Sequence, residues 1–415
     1  MKVECIVIIG GGTAAASIAA ALRKTGFPCS LDIISAEAME PYERPPLSKR
    51  FLLDDDAAIP TILAPDWYSE NDVGLRLGAT AAAVDRSGFV ELDSGQRLRF
   101  DKLVFATGGT PRRLPKLDAC GSDQIFYLRS VPDALRLRTA LADGGHLVLI
   151  GAGFIGGELA SSARQLGVDV TMIEQQEVPL AHIVGRQIGA EYADIHREHA
   201  VGVRTGVVVD RATCSGDAIC LQLSDGSNVA CDYVAVGVGL VPVCDLAAQS
   251  GIRCDNGILV DEYCRTNLPD VYAAGDVANH FNPLFARRMR VEHHDNAIRQ
   301  GSVVAANLLG ERVVYADPHW FWSDQYEHTL QGVGLINTAK THVDRGAVES
   351  RSFTRFYLQD NSIVGAVGLN TGPEIKYASR LIAMKAVTEP AALADPGFDL
   401  KAMAKMHAAT ARLKA

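Results

Sequence analysis

Val3-Glu-Cys-Ile-Val-Ile-Ile-Gly10-Gly-Gly12-Thr-Ala14-Ala runs from an apolar strand-like stretch through a glycine turn into a helix-like stretch. About 140 residues later, His146-Leu-Val-Leu-Ile-Gly151-Ala-Gly153-Phe-Ile155-Gly156-Gly-Glu158 repeats the pattern. Both are GxGxxG/A fingerprints in the strand–turn–helix setting that separates a dinucleotide site from a chance glycine cluster. Gly10 and Gly151 permit the tight turn, and Gly12 and Gly153 let the backbone approach a pyrophosphate. Ala14 and Gly156 leave room for the helix to pack on the strand, with the helix N-terminus facing the phosphates. Either stretch alone could be a plain tight turn. Together they imply two dinucleotides and electrons moving between them.

Composition narrows the class. A 415-residue chain with 48% hydrophobic and 21% charged residues has room for two or three domains around real cores. A net charge of -9 and a pI near 5.7 argue against nucleic acid as a partner. The apolar start resembles a signal peptide, but Glu4 interrupts it and the fingerprint explains the same residues, so export is not expected. No apolar run reaches the roughly 18 residues of a membrane span, so a cytoplasmic protein with no membrane partner is expected. The nine cysteines form no CxxC and no zinc or iron–sulfur spacing, so no metal site is expected. Their odd number favours reduced thiols, buried for the most part, over a disulfide framework.

Along the chain, a helix near Ala14 to Lys24 leads to the strand Leu31-Asp-Ile-Ile-Ser35 and then Glu37, placed to bond a ribose hydroxyl. Glu40-Pro-Tyr-Glu-Arg44-Pro-Pro-Leu-Ser-Lys49 is too proline-dense for a helix or a central strand. A hairpin through Val90 precedes the buried strand Leu103-Val-Phe-Ala106-Thr107-Gly108. The second βαβ unit ends at Glu174, and Tyr233-Val-Ala-Val-Gly237 mirrors the earlier strand-to-glycine stretch. Asp270-Val-Tyr-Ala-Ala-Gly275-Asp276 reads as a strand entering a glycine turn, 294–309 as a helix, and the part from Pro318 as alternating strands and an Ala-rich helical end. The fold class is therefore α/β: two Rossmann-like dinucleotide-binding domains plus a small C-terminal α/β domain. The expected boundaries are 1–110 and 241–317 for the first, 111–240 for the second, and 318–415 for the third.

Pro41-Tyr-Glu-Arg44-Pro-Pro-Leu-Ser-Lys49, Ala106-Thr-Gly-Gly-Thr-Pro-Arg, the second fingerprint through Glu158, Ala273-Ala-Gly-Asp276-Val-Ala and Trp320-Phe-Trp322-Ser-Asp-Gln-Tyr326 resemble, together, the FAD-dependent NADH:ferredoxin reductases of bacterial Rieske dioxygenase and class I cytochrome P450 systems. The resemblance covers the whole chain and implies a glutathione-reductase-like fold. It implies non-covalent FAD at the first fingerprint and NADH at the second. It further implies hydride transfer, then two single-electron steps to a [2Fe-2S] ferredoxin that feeds an oxygenase. It places Gly10, Gly12 and Ala14 along the FAD pyrophosphate and the Ala81 backbone near adenine. Glu37, Arg44, Lys49, Ala106, Thr107, Gly108, Arg129, Asp276 and His294 stand around the rest of that cofactor. Gly151, Gly153, Ile155, Gly156, Glu174 and Gly237 belong by the same likeness to the NAD site. One departure is Ala36, where the family usually has Asp: either Glu37 takes over the ribose bond, the reading preferred here, or affinity for the adenosine end falls.

Three residues are expected to carry the chemistry. A cation at Lys49 can stabilise negative charge that develops on reduction, and a carboxylate at Glu158 can hold that cation. Trp322 resembles the family's tryptophan beside the flavin, with Trp320 as the fallback. Each has a plainer alternative: a solvated loop lysine, an acid suited to the first helical turn, a core aromatic. Disulfide-reductase chemistry is excluded because 38–50 contains no cysteine. Monodehydroascorbate reductase and rubredoxin reductase remain as alternative activities, and apoptosis-inducing-factor-like flavoproteins as a non-enzymatic one. A basic docking face for an acidic ferredoxin is expected at Arg287, Arg288 and Arg290, in a loop after Asp276, and at Lys401. Oligomeric state is not legible.

Overall fold

The chain condenses into two units, each spliced from separate segments: Met1–Arg44, Ile59–Thr110 and Leu240–His319 form the first, and Pro45–Ala58, Pro111–Gly239 and Trp320–Ala415 the second. The computed structural model describes residues 3–409 apart from 86, 217 and 340, and the backbone of the last helix to Lys414.

The first unit is built on a five-stranded parallel sheet, in the order Val271–Ala273, Lys102–Phe105, Cys5–Ile9, Ser30–Ser35, Val73–Leu77. Its strands read as continuous aliphatic runs because both faces are covered, the pattern of a parallel sheet. Helix Thr13–Lys24 lies against helix His294–Leu308, and Gly301 allows the close approach: a Cβ there would stand 2.8 Å from the Ser17 side chain. Two three-stranded sheets also belong to the unit. One joins Ala81–Asp85, Phe89–Leu92 and Arg97–Arg99; the other joins Ile258–Val260, Ala278–Asn282 and Arg287–Arg290. The last of these strands corrects an expectation, because Arg287, Arg288 and Arg290 sit in a strand and not in a loop. Antiparallel pairing with Ala278–Asn282 satisfies their backbone.

The second unit repeats the parallel architecture in the order Ile125–Phe126, Tyr233–Val236, His146–Ile150, Asp169–Glu174, Val201–Thr205. Helices Phe154–Gln165 and Val131–Leu141 flank it, the latter started by a Ser130/Asp133 capping box. Residues 320–369 add a five-stranded antiparallel sheet whose inner face packs with Leu180, Ile188 and Ile195 of the same unit. The proline-rich segment is not plain loop throughout: Pro45–Ser48 is one 3-10 turn, a conformation that two prolines at its start tolerate.

Cys120 and Cys214 are joined by a disulfide, which corrects the expectation of nine reduced thiols. The turn after helix Pro115–Asp118 and strand Val209–Ser215 bring them together across 94 positions, their Cα atoms 5.7 Å apart. Of the remaining cysteines, Cys29, Cys231 and Cys264 are buried, while Cys5, Cys220, Cys244 and Cys254 are half-buried, fewer buried than expected.

Candidate active site

Within the first unit, the singled-out residues gather at the carboxyl ends of the parallel strands, where open α/β sheets bind their ligands. Gly10 follows the first strand with φ +118°, and a Cβ there would collide with the Ala106 carbonyl oxygen. Gly12 caps helix Thr13–Lys24; no side chain caps that end, no acid lies in its first turn, and a Cβ on Gly12 would meet nothing within 4 Å. Ala14 faces the turn at Gly275, where a Cβ would come within 3.1 Å of its methyl. Asp276 belongs to the 3-10 turn Gly275–Val277, and Gly275 donates its N–H to Gln300 Oε1 at 2.8 Å. Thr107 donates from its hydroxyl to the Val243 carbonyl at 2.7 Å, next to Gly108.

Glu37 sits just beyond the second strand. Arg44 Nη2 approaches its carboxylate at 2.5 Å and the Tyr42 hydroxyl donates to it. His294 begins its helix with Nδ1 3.5 Å from Thr13 Oγ1; burial draws its pKa down, against the pull of Glu43, Asp295 and Asp276. Ala81 opens the antiparallel strand Ala81–Asp85. Arg129 lies in the other unit, where its N–H donates to Asp133 at 3.1 Å just before helix Val131–Leu141.

The second unit holds the other fingerprint. Gly151, at φ +94°, runs so close to the next strand that a Cβ would stand 2.5 Å from the Gly237 carbonyl oxygen. A Cβ on Gly156 would collide with the Gly151 carbonyl. Gly153 caps helix Phe154–Gln165 with no side-chain cap and no acid in its first turn, and Ile155 beside it is exposed. Glu174 ends its strand buried, one carboxylate oxygen accepting from Ala152 N at 2.9 Å and the other from Gln176 N at 2.8 Å. In both units an uncapped helix end faces a turn stripped of side chains, which fits a pyrophosphate and leaves it room.

Lys49, Glu158 and Trp322, distant in sequence, meet inside this second unit. Lys49 follows the 3-10 turn and its Nζ stands 3.2 Å from Glu158 Oε1 and 3.3 Å from Asp324 Oδ2. Its ammonium also lies 5.4 Å from the centre of the Trp322 ring, within cation–π reach. Trp322 Nε1–H donates to the same Asp324 at 3.1 Å, and its ring stacks on Trp320 at 5.0 Å. Glu158 is 5% exposed, so it is not a solvated first-turn acid. Burial pushes its carboxyl above the ordinary range, and Lys49, Ser323 and Ser48 oppose that push. Ser48 donates to Oε2 at 2.5 Å and Ser323 to Oε1 at 2.7 Å. The lysine segment is pinned from behind: Ser162 donates to the Ser48 carbonyl at 2.7 Å, and Arg138 to the Asp54 carbonyl at 3.0 Å. Sequence reasoning missed Ser48, Arg138, Ser162, Ser323 and Asp324. The Ser-Asp that follows Trp322 was the available signal for the last two.

Two glycine-turn sites of dinucleotide form and a buried lysine–carboxylate pair define a pyridine-nucleotide-linked redox protein. Comparison with known proteins agrees: the pyridine nucleotide-disulphide oxidoreductase family matches residues 5–301, and a reductase C-terminal family matches residues 320–404. The chain belongs to the pyridine nucleotide-disulphide oxidoreductase family, whose ferredoxin-reductase members use FAD and NAD(H). It is 40% identical over 407 residues to the ferredoxin–NAD(+) reductase component of the anthranilate 1,2-dioxygenase system of Burkholderia cepacia, an alignment covering 97% of this chain and 99% of that one. Among solved structures it resembles the ferredoxin reductase for the CYP199A2 system from Rhodopseudomonas palustris, with a TM-score of 0.93 at 33% identity, covering 97% of this chain and 100% of that one. It matches the reductase of the covalent putidaredoxin reductase–putidaredoxin complex equally well, with a TM-score of 0.93 at 33% identity over 97% and 99% of the two chains. No described helix is long and apolar enough to cross a membrane.

Proposed function

We propose that this chain is a cytoplasmic NADH-dependent ferredoxin reductase, passing electrons through FAD to a [2Fe-2S] ferredoxin that serves a Rieske dioxygenase or a P450. The reading rests on full-length similarity to reductases of that kind, and above all on Lys49 standing between Glu158, Asp324 and Trp322. The two units contain three functional divisions: FAD binding in 1–110 and 241–317, NAD binding in 111–240, and a C-terminal domain in 318–415. Gly10, Gly12 and Ala14 hold the FAD pyrophosphate, Glu37 and the Ala81 backbone its adenosine end, and Asp276 its ribityl chain. Arg44, Ala106, Thr107, Gly108, Arg129 and His294 complete that site. Gly151, Gly153, Ile155, Gly156 and Gly237 receive NADH. When bound, FAD would supply the conversion of a hydride's electron pair into single electrons. Lys49 presents a fixed positive charge toward that chemistry, Glu158 keeps the charge in place, and Trp322 gives the lysine an aromatic wall.

Glu174 sets the preference for NADH, since a carboxylate at this strand end accepts ribose hydroxyls and repels a 2′-phosphate. Glu174→Ala is expected to narrow the NADH over NADPH ratio of kcat/KM by about tenfold or more, a change of about 1.4 kcal/mol per factor of ten. The same carboxylate braces Ala152 and Gln176, so KM for NADH should rise as well. An unchanged ratio would show that another group reads the ribose.

Assay with ferredoxin, rubredoxin and monodehydroascorbate as acceptors tests the reading as a whole. Ferredoxin reduction should weaken steeply with salt while reduction of a small neutral dye barely changes. Arg287 and Lys401 are exposed. Arg288 and Arg290 donate to the Val260 and Asp276 carbonyls, which gives them structural work in the first unit. Arg287→Glu and Lys401→Glu are therefore the discriminating changes, each expected to lower the ferredoxin rate severalfold at low salt. Faster turnover with rubredoxin or monodehydroascorbate than with any ferredoxin would overturn the assignment.

A further inference from the structure

A buried chain of hydrogen bonds leads away from Glu158 within the second unit. Ser323 donates to Glu158 Oε1 at 2.7 Å. Gln325 Nε2 donates to Ser323 Oγ at 3.1 Å and also to the Tyr192 hydroxyl. Gln325 Oε1 faces His196 Nε2 at 2.9 Å, and His196 Nδ1 faces the Tyr326 hydroxyl at 3.2 Å. His196, Ser323, Gln325 and Tyr192 are all buried. Gly157 makes space for the amide: a Cβ there would collide with the Tyr192 hydroxyl and stand 2.7 Å from Gln325 Nε2.

The chain has a direction. Both amide protons of Gln325 are spent on Ser323 and Tyr192, so its carbonyl must accept from His196, which therefore carries its proton on Nε2. His196 Nδ1 then accepts from Tyr326. Burial draws the His196 pKa down to about 4, in keeping with a ring that holds one proton. Ser323 has one proton, and because Gln325 donates into its oxygen, that proton points at Glu158. From Tyr326 through His196, Gln325 and Ser323 each step thus donates toward the carboxylate, and the second Gln325 proton branches to Tyr192.

We propose that this one-way donor chain keeps Glu158 ionised despite its burial, so that Gln325 and His196 act as positioning residues for the Lys49 cation. The inference rests on the role given to Lys49 above. Among the described residues, the other groups facing Glu158 are Lys49 from the 3-10 turn, with Asp324 on its far side, Ser48, and Tyr192, which burial keeps neutral. Burial raises the Glu158 carboxyl and Lys49, Ser323 and Ser48 oppose it, so loss of a donor moves the carboxyl further up.

Infrared difference spectroscopy of the flavin-loaded protein across a pH series tests this. The protonated-carboxyl band of Glu158 is assigned by its loss in Glu158→Gln. In Gln325→Leu that band should appear about one pH unit higher than in the parent, because a donor to a charged group is lost. The acid limb of kcat for NADH with a dye acceptor should move up with it, and KM for NADH should stay put. His196→Leu should shift the band in the same direction, and His196→Gln, which restores an N–H at the Nε2 position, should return it. Equal midpoints in the parent, Gln325→Leu and His196→Leu would overturn the proposal, as would a His196→Gln shift as large as that of His196→Leu. A parent protein that fails to reduce ferredoxin defeats the functional reading and leaves the infrared midpoints to decide this one.

Discussion

Lys49→Met is expected to slow reduction of the bound flavin by NADH by about a hundredfold, the usual scale for losing one preorganised electrostatic group, with flavin content unchanged. Methionine keeps an unbranched apolar stem but removes the charge that stands 3.2 Å from Glu158 and 3.3 Å from Asp324. Glu158 then lacks its counter-charge in a buried site and takes up a proton, as a buried carboxylate without a cation does. Stopped-flow bleaching of the flavin under NADH excess measures the step directly. A rate within a factor of two of the parent would remove Lys49 from the chemistry.

The second large effect separates the two outer glycines of the first turn. Gly12→Ala should fold and melt like the parent, because the position has ordinary extended backbone and its Cβ would meet nothing within 4 Å. The same methyl would fill the space where a pyrophosphate approaches the backbone, so FAD affinity should fall by about a hundredfold or more. Gly10→Ala should fail earlier: φ +118° and the collision with the Ala106 carbonyl both oppose it, and little folded protein is expected. The flavin-to-protein absorbance ratio after gel filtration, set beside a circular dichroism melt, distinguishes the outcomes. Full flavin retention in Gly12→Ala would place the pyrophosphate elsewhere.

The sequence was most readable where one short segment dictates its own shape. Gly10 and Gly151 could be assigned from local pattern because each turn needs φ > 0 and close approach to a neighbouring strand, and the aliphatic runs before them fit only a sheet covered on both faces. Lys49 and Glu158 could be paired only through resemblance, since 109 positions separate them (158 − 49) and no periodicity joins a turn to a distant helix. Gln325 lies inside the Trp320–Tyr326 stretch without a mark of its role, and His196 carried no signal at all. A glutamine in a strand and a histidine in a helix look like surface residues until the fold buries both. The Cys120–Cys214 bridge was missed for the same reason: pairing depends on which strand packs on which turn, not on spacing. Arg287–Arg290 reads as loop in sequence because its polar residues hide a strand whose register is supplied by Ala278–Asn282.

The spliced arrangement of the two units also bears on how the chain is made. Residues 45–58 leave the first unit early and belong with segments that begin at 111 and 320. Lys49 meets Asp324 across 275 positions of sequence. On a ribosome, the lysine emerges long before either carboxylate, and the antiparallel sheet that carries Asp324 follows only after residue 320. Neither unit can close until synthesis is well past Leu240, so the growing chain waits with exposed aliphatic strands, a condition that favours chaperone contact and slow, late maturation. A product truncated before residue 320 would carry both glycine turns and every segment of the first unit, yet lack the Asp324 and Trp322 that meet Lys49.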